Sequence, residues 1–490
     1  MKSSRKRGIG INPSDDYPGW YQEVIREAEL AEHSSVRGSM VLRPWGYALW
    51  EGIREALNER FRTEGVENAY FPLLIPMSAF EKEGQHVEGF AEECAIVTHH
   101  RLKRESSGEV IAESPLEEPF VIRPTSEMII GEHMKGWIHS YRDLPIKINQ
   151  WANVMRWERR PRLFLRSTEI LWQEGHTVYA TAEEADQNAQ EMAQLYHDFS
   201  EEVLAIPTVL GKKTESERFP GAHTTYTLEG IMGDGKALQM GTSHFLGQNF
   251  AHACDLSFQD RQGQKQVPWT SSWGVSTRLI GAMIMVHADE DGMVIPPAIA
   301  GYHVVIIPRF PKEGDRTDIL RYCHNYAESL RSQSYSGKAL RVYVDQRELS
   351  AGEKKWRWIK KGVPLRVEIG PREIQSGEIG VSSRLGEGMH LLVEEFPDQL
   401  AFLQKRLLIV AKKKQVIHSI DCQEDFIDHF SNHQGCVLSH WSEDPTTEER
   451  LRCDHGVTVR CLPFSEQGQG GHCLFTGQLS RQRALFGRAY

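Results

Sequence analysis

Long apolar runs and clustered cysteines are both missing from this sequence. No segment reaches the roughly 18 uninterrupted apolar residues that a membrane-spanning helix requires, so we expect no membrane span. The eight cysteines are scattered without the close spacings of a disulfide framework, which indicates a reduced, cytoplasmic protein. The opening MKSSRKRGIG is basic, but no apolar segment follows it, so we expect no secretory signal.

An excess of positive charge is also missing. The 57 Lys and Arg residues are outnumbered by 67 Asp and Glu residues, which gives a net charge of −10. Because proteins bind nucleic acids largely through the phosphates, a nucleic-acid partner would have to be held by local basic patches. The length of 490 residues exceeds the size at which a single hydrophobic core keeps growing, so two or three domains are expected.

The most informative stretch is residues 123–177, RPTSEMIIGEHMKGWIHSYRDLPIKINQWANVMRWERRPRLFLRSTEILWQEGHT. Two runs of alternating apolar residues flank a short basic segment with a proline, a pattern that predicts a β-hairpin. We predict that the strands carry Arg156, Glu158 and Arg166 on one face. The arginines would suit a carboxylate or phosphate, and the glutamate an exocyclic amine. The alternative is a surface hairpin with solvated ion pairs.

Upstream of this hairpin, Thr125 and Glu127 follow a predicted strand and are candidates for the same site. Two residues apart, they can share a face and offer a carboxylate to a cation, although the same pattern is a common helix cap. Residues 69–80, AYFPLLIPMSAF, predict a buried strand. The polar, Glu-rich and Gly-containing segment after them could cover a site.

Two later segments add polar candidates. Gln239, Thr242 and His244 precede a predicted helix, and no triad or metal-ligand spacing surrounds the histidine. Ser276 and Arg278 begin an apolar helix, where the arginine adds positive potential to the helix N-terminus. The alternative is a structural histidine and a solvated cap residue.

After residue 297 the pattern changes to strands that alternate with helices, which predicts an α/β domain over 299–407. Its segment GEKKWRWIKKGVPLRVEIGPRE interleaves basic and aromatic residues, a composition suited to phosphate contact and base stacking. As a charge run alone, it would be a solvated face. A third region, residues 408–490, ends in RALFGRAY.

Several of these segments resemble one family. Residues 123–177 resemble motif 2 of the class II aminoacyl-tRNA synthetases, and RPTSE and WQEGHT resemble the prolyl-tRNA synthetase versions. Residues 36–61 are similar to motif 1 and residues 270–297 to motif 3. The basic and aromatic segment resembles the anticodon-binding domain shared by prolyl-, threonyl-, histidyl- and glycyl-tRNA synthetases. Tyr490 matches the C-terminal tyrosine of the archaeal and eukaryotic-like prolyl form.

The resemblance implies an α+β protein of three parts. Residues 1–298 would form a class II catalytic domain with a mainly antiparallel sheet. Residues 299–407 would form the α/β anticodon-binding domain, and residues 408–490 a small α+β C-terminal domain of degenerate zinc-binding type. Motif 1 implies a homodimer.

The resemblance also implies a reaction, the ATP-dependent attachment of L-proline to tRNA(Pro) with Mg²⁺ accompanying ATP. It makes Arg156 and Arg278 the catalytic residues and requires no protein nucleophile. The implied ATP site comprises Arg156, Glu158, Arg166, Gln239, Thr242, Ser276 and Arg278. The implied proline pocket comprises Thr125, Glu127, Arg156, Trp172, Phe219 and His244.

Two positions depart from the family pattern. Ile170 stands where an aromatic residue that stacks on adenine is usual, and Thr270 stands where a longer amide or imidazole side chain is common. Two rival hypotheses remain, a threonine- or glycine-specific enzyme of the same class and a catalytically silent paralogue. RPTSE and WQEGHT argue against the first, and the intact motif arginines argue against the second.

Two absences are also predicted. Relatives of this form often carry a four-cysteine zinc site, but here Trp441 and Thr476 stand where Cys436 and Cys473 would need partners. We therefore expect the C-terminal domain to hold together without zinc, through apolar burial and docking of its tail. We also expect no editing domain, because the interval between motifs 2 and 3 is filled by elements that the catalytic fold requires.

Overall fold

The computed structural model describes residues 8–81, 93–311, 316–386 and 388–490. The segment predicted to cover a site lies, for residues 82–92, outside the described residues. Within the described ranges, no helix combines the length and the apolar character that crossing a membrane would demand.

One large sheet, antiparallel except at its two edges, organises most of the chain. Seven of its strands come from the first 298 residues. Neighbouring strands along the sheet are Glu67–Asn68, Ile146–Met155, Glu169–Tyr179, Trp269–Ser276, Ala237–Gly247, Thr224–Ile231 and Thr208–Lys212. This arrangement confirms the predicted antiparallel catalytic sheet.

Helices cover this sheet because their apolar residues recur at helical spacing. In the helix after Pro44, for example, Leu49, Ile53 and Leu57 are all buried. The long helix that starts at Ala182 is preceded by a Thr181 capping box. The helices of this part are Tyr17–Glu27, Pro44–Thr63, Met77–Glu81, Glu127–Met134, Ala182–Glu202, Asn249–Ala253 and Arg278–His287.

Smaller sheets stand beside the large one. One of them has three strands, Leu74–Pro76, Ala95–Arg104 and Val110–Ile122. Two-stranded pairs are formed by Ala31–His33 with Met40–Leu42, and by Phe258–Gln259 with Lys265–Gln266.

Residues 303–414 form the predicted α/β unit. Its sheet has the order Val342–Val344, Val304–Pro308, Leu365–Ile369, Gly380–Ser383 and Gly388–His390. The first three strands are parallel, as expected for strands joined through helices, and the last two are antiparallel. The helices are Thr317–Arg331, Ala351–Lys360, Pro371–Ser376 and Phe396–Lys414, and a short hairpin joins Ser334–Tyr335 to Lys338–Ala339.

Part of the basic and aromatic segment of this domain packs against the first domain, so it is not simply a solvated face, and its contact with nucleic acid stays a prediction. Lys361 pairs with Glu29 at 2.8 Å and Lys360 with Glu27 at 2.5 Å, so both cations face the first domain. Trp358 is buried and packs edge-on against Trp45 at 5.8 Å. The segment turns inward because apolar rings and paired charges are both better satisfied at the domain contact than in water.

The C-terminal region continues the large sheet. Strand Thr458–Pro463 pairs with Thr208–Lys212, and Leu479–Gly487, Cys436–His440 and Ile417–Ser419 follow outward. Strand Gln467–His472 pairs with Leu479–Gly487, and the helices are Gln423–Asn432 and Pro445–His455. The core contains Val457, Val459, Leu462 and Phe486.

A continuous helix, Phe396–Lys414, runs through the predicted boundary between residues 407 and 408. Its buried residues Leu403, Leu407 and Ala411 lie on both sides of that point, which explains why the helix does not break there. The limits 1–298, 299–407 and 408–490 therefore stay a proposal, with the last of these boundaries inside a helix.

The two cysteines considered for zinc lie in different surroundings. Cys436 packs against Gly235 of the catalytic part, with 3.9 Å between its sulfur and the glycine carbonyl oxygen. Cys473 instead receives hydrogen bonds from Ser442 and Thr476. Among the described residues, no three His, Cys, Asp or Glu side chains converge on a metal site. A zinc-free domain stays a prediction.

Candidate active site

A cavity of about 320 Å³ lies over the middle of the large sheet. Its floor is formed by three neighbouring strands, Glu169–Tyr179, Trp269–Ser276 and Ala237–Gly247. Their register places residues of the three strands side by side, so that His176, Ser272 and His244 form one row across the floor. Side chains in such a row share a face of the sheet. The sheet thus brings together residues that are far apart in the chain.

The motif 2 hairpin is present, but its polar residues are not on its strands. The strands Ile146–Met155 and Glu169–Tyr179 end at the pair Met155 and Glu169. Arg156, Glu158 and Arg166 therefore belong to the connecting loop, which corrects the predicted strand placement. The charged ERRP segment explains the loop, since Pro161 has no N–H for a ladder and its neighbours are polar.

The loop sends its three residues to different places. Arg156 lines the cavity, whereas Glu158 and Arg166 do not. The Glu158 carboxylate accepts a hydrogen bond from the backbone N–H of Arg160 at 2.7 Å. Arg166 donates at 2.8 Å to the backbone carbonyl oxygen of Tyr490. Two of the predicted ATP contacts are thus engaged with other parts of the chain.

Two arginines dominate one end of the cavity, here named the arginine end. The Nε of Arg156 donates to the carbonyl of Pro124 at 2.9 Å, and its guanidinium lies 5.6 Å from the centre of the Trp172 ring. Arg278 donates to the carbonyls of Leu165 and Gln239, both at 3.3 Å. Burial lowers the pKa of Arg278 to about 10, and the positive charges of Arg166 and Arg156 add to the effect.

The arginine end is therefore suited to an anion. Its cations are desolvated and repel one another, and Arg156 and Arg278 each donate to neutral backbone carbonyls. A phosphate or carboxylate would relieve the repulsion and form charge-assisted hydrogen bonds. Gln239, Thr242 and Ser276 line the same cavity and add polar groups.

Carboxylates occupy the opposite end, here named the carboxylate end. Glu127 begins the helix Glu127–Met134 and is 8% exposed. It accepts hydrogen bonds from the hydroxyl of Thr125 and, at 3.5 Å, from that of Ser272. The residues predicted as either a helix cap or a cation site thus place a carboxylate in the cavity, where it can accept from an ammonium group.

Glu174 and His176 stand beside Glu127 and were not predicted. Burial would raise the pKa of the Glu174 carboxyl, but hydrogen bonds from His176, Ser126 and Gln150 lower it. Burial would lower the pKa of His176, but its bond of 3.1 Å to Glu174 raises it. Each partner therefore favours the charged form of the other.

The signal for these two residues was in the sequence. Ile170, Trp172, Glu174 and His176 alternate along one strand, and all four line the cavity. Because alternate residues of a strand share a face, placing Trp172 in the pocket also implies that Ile170, Glu174 and His176 face it. The motif WQEGHT therefore contains site residues as well as the family resemblance.

An aromatic wall closes the carboxylate end. Phe219 stacks on His244 with ring centres 4.5 Å apart. The hydroxyl of Thr225 lies 3.0 Å from Nδ1 of His244, and it accepts from the backbone N–H of Phe219 at 3.0 Å. His244 lies on the strand Ala237–Gly247, and the predicted helix that follows it is the short Asn249–Ala253. Its role in the structure is that of a flat wall for a small apolar group.

The two departures from the family pattern lie in different places. Ile170 lines the cavity. Thr270 is buried, and its hydroxyl donates to the carbonyl of Gly247 at 3.2 Å. The predicted residues that line the cavity are Thr125, Glu127, Arg156, Trp172, Phe219, Gln239, Thr242, His244, Ser276 and Arg278.

Comparison with known families agrees with this geometry. Residues 110–287 match the tRNA synthetase class II core domain (G, H, P, S and T), and residues 303–401 match the anticodon binding domain. Residues 423–490 match the C-terminal domain of prolyl-tRNA synthetase. The fold and these matches are thus those of a class II tRNA synthetase, an enzyme.

Similar proteins narrow the class further. The chain is 47% identical to a proline--tRNA ligase of Protochlamydia amoebophila over the full length of both chains. It is 48% identical to one of Akkermansia muciniphila, over 99% of this chain and 100% of the other. It is also 48% identical to proline--tRNA ligase 2 of Anaeromyxobacter dehalogenans, over 100% and 99%. The chain belongs to the proline--tRNA ligase family, which removes the threonine and glycine rivals.

Proposed function

We propose that this chain activates L-proline with ATP and transfers it to tRNA(Pro). In the first step a carboxylate oxygen of proline attacks the α-phosphate of ATP, forming prolyl-adenylate and releasing pyrophosphate. In the second step the terminal ribose hydroxyl of the tRNA attacks the prolyl carbonyl, and AMP leaves. The observation that carries the proposal is the joining of the arginine end and the carboxylate end in one cavity.

At the arginine end, Arg156 and Arg278 would bind ATP. Arg156 would bridge the proline carboxylate and the α-phosphate, holding the two reacting groups together, and Arg278 would neutralise charge on the phosphates. Mg²⁺ enters as the companion of ATP. Catalysis of this kind depends on positioning and on charge stabilisation in a desolvated site, which the lowered pKa of Arg278 indicates.

At the carboxylate end, proline would be recognised through its ring and its secondary ammonium. Glu127 would accept a hydrogen bond from the ammonium, and Thr125 holds that carboxylate in place. Trp172, Phe219 and His244 would enclose the ring. Glu174 with His176 adds a second buried carboxylate behind the first.

Glu158 and Arg166 would join the ATP site only by exchanging their present partners. Arg166 donates to the backbone oxygen of Tyr490, and Glu158 accepts from a backbone N–H of its own loop. An ATP phosphate would compete with this backbone oxygen for the guanidinium and would form a stronger, charge-assisted bond. Their assignment to adenosine and phosphate stays part of this proposal.

Hydrolysis of mischarged tRNA is not expected of this chain. The interval between the motif 2 hairpin and strand Trp269–Ser276 contains helix Ala182–Glu202 and three strands of the central sheet. These elements build the catalytic fold itself, which supports the proposal that no separate editing domain is inserted there.

The decisive experiment is pyrophosphate exchange with each of the twenty amino acids in turn. We expect ATP to be regenerated with proline at a rate far above that for threonine or glycine. A silent paralogue would give no exchange with any amino acid and would refute the proposal. Light scattering on the same sample tests the proposed homodimer, for which a mass of about twice 55.9 kDa is expected.

A further inference from the structure

The C-terminal domain reaches the wall of the proposed proline pocket through one buried carboxylate. Glu448 lies on the helix Pro445–His455 and is 7% exposed. Its Oε1 accepts from the hydroxyl of Thr214 at 2.8 Å, and its Oε2 accepts from the hydroxyl of Ser216 at 2.6 Å. Both hydroxyls belong to the segment that leads into Phe219.

That segment is short and close to the cavity. Two residues separate Ser216 from Phe219, and both of them, Glu217 and Arg218, also line the cavity. Phe219 itself forms the aromatic wall with His244. A shift of the segment at Ser216 is therefore transmitted directly to the wall.

The start of the segment is fixed by the same domain. Lys213 donates to Glu229 at 2.9 Å and to the backbone carbonyl of Arg460 at 2.8 Å. Arg460 in turn donates to Glu229 at 2.8 Å, and all three side chains are buried. Strand Thr458–Pro463, which carries Arg460, also pairs with Thr208–Lys212. This contact holds the segment at Lys213, Thr225 holds it at Phe219, and Glu448 fixes the stretch between them at Thr214 and Ser216.

A carboxylate is a costly group for simple domain docking. Burial raises the pKa of Glu448, although the two hydroxyls oppose this. An apolar contact would join the domains without desolvating a charge. A carboxylate, unlike an apolar contact, fixes two hydroxyls at defined distances and directions.

We infer that Glu448 is a positioning residue for proline recognition: by holding Thr214 and Ser216 it sets the place of Phe219 in the pocket. The inference rests on the proposed function, because it assigns the Phe219 wall to proline. It makes the C-terminal domain a determinant of amino-acid affinity, in addition to its part in the fold.

The test is pyrophosphate exchange with proline and ATP varied separately, using the full chain. Glu448→Ala is expected to raise the KM for proline about tenfold, as expected for a slightly misplaced wall, with the KM for ATP and kcat within about twofold. Glu448→Gln keeps an acceptor oxygen and the side-chain shape, and the second hydroxyl can accept from its amide. It is expected to restore the KM for proline to within about threefold of wild type.

Glu449→Ala is the matched control. Glu449 is the next residue on the same helix, exposed and paired with Arg452, and its loss is expected to leave both KM values unchanged.

Thr214→Val with Ser216→Ala removes the donors from the other side. When this double variant is combined with Glu448→Ala, the KM for proline is expected to rise by less than about a further twofold, because the three groups act as one unit.

The outcomes separate the inference from the proposed function. No proline-dependent exchange by wild-type protein would refute the function. If Phe219→Ala raises the KM for proline but neither Glu448→Ala nor the double hydroxyl variant does so, the inference is wrong and the function stands. Equal changes in the KM for proline and for ATP would also overturn it. If Glu448→Ala does not fold, the double hydroxyl variant and Glu448→Gln decide.

Discussion

The two ends of the cavity handle buried charge in opposite ways. At the carboxylate end, groups of the protein itself stabilise the buried charge, since Glu174 accepts hydrogen bonds from His176, Ser126 and Gln150. At the arginine end, burial lowers the pKa of Arg156 and of Arg278, an effect that nearby glutamates oppose at Arg156, and each guanidinium donates to a backbone carbonyl.

The difference indicates which end is preorganised and which depends on its ligand. A carboxylate held by neutral donors and a histidine keeps its geometry without substrate, as selection of one small amino acid requires. Desolvated arginines that repel one another are stabilised when an anion arrives. We therefore expect changes at the arginine end to affect rate most, and changes at the carboxylate end to affect stability and selection.

The largest effect is expected at Arg156. Replacing it by Lys keeps the charge but removes the two parallel N–H groups that can bridge two anions. We expect kcat/KM for proline-dependent exchange to fall by about 10² or more. Arg160→Lys, an exposed position of the same loop, is the control and should stay within about twofold. A loss below tenfold for Arg156→Lys would show that the arginine is not part of the reacting centre.

At the carboxylate end, Glu174→Gln is expected to reduce stability. Removing one partner of a buried pair typically costs about 3–5 kcal/mol. The lowered pKa of Glu174 makes its contribution complete above the unfolded pKa of about 4.3 and lost as pH falls through the folded value. The raised pKa of His176 makes its contribution complete below about 6.5 and lost as pH rises through the folded value.

Thermal melts across pH measure this prediction. The difference in midpoint between wild type and Glu174→Gln should be largest between about pH 4.5 and 6.5 and should shrink on either side. A difference that is constant with pH would mean that the pair does not titrate as a unit.

Selection at the apolar wall should be incomplete for a smaller substrate. Alanine lacks methylenes of the proline ring, and each missing methylene is worth only about 1–3 kcal/mol in a hydrophobic pocket. We expect measurable alanine-dependent exchange and no hydrolysis of alanyl-tRNA by this chain. Rapid deacylation of alanyl-tRNA by purified protein would contradict the absence of editing.

The smallest effect is expected from metal removal. Cys436 and Cys473 lie in different surroundings, so we expect a strong zinc chelator to leave the thermal midpoint and the exchange rate unchanged. Elemental analysis of protein purified without chelator provides the check. One equivalent of zinc per chain, lost together with the fold of the C-terminal domain, would contradict this expectation.

The local sequence pattern was sufficient to predict features that depend on a single secondary-structure element. The hairpin and the helix at Arg278 follow from local pattern, whereas the antiparallel sheet was implied by the family resemblance. The connection between the hairpin strands is longer than the predicted short basic turn, because Pro161 and its charged neighbours break the ladder and leave the arginines in the loop.

Contacts between distant parts of the chain could not be predicted in this way. Nothing near Lys361 indicates that Glu29 is its partner, and nothing near Arg166 indicates Tyr490. Likewise, the contact of Glu448 with Thr214 depends on the pairing of two domains. Such pairings are set by the tertiary fold, so composition alone could not show that part of the basic segment packs against the first domain.

The central assignment is that proline binds at the carboxylate end of the cavity and ATP at the arginine end. It can be tested by pyrophosphate exchange on two variants, with the concentrations of proline and ATP varied in turn. Glu127→Gln should raise the KM for proline about tenfold or more and leave the KM for ATP within about twofold, because a neutral amide loses the ammonium partner. Arg278→Lys should show the reverse pattern, since it loses the forked contact to phosphate. If both variants raise the same KM, the assignment of proline and ATP to opposite ends of the cavity is wrong.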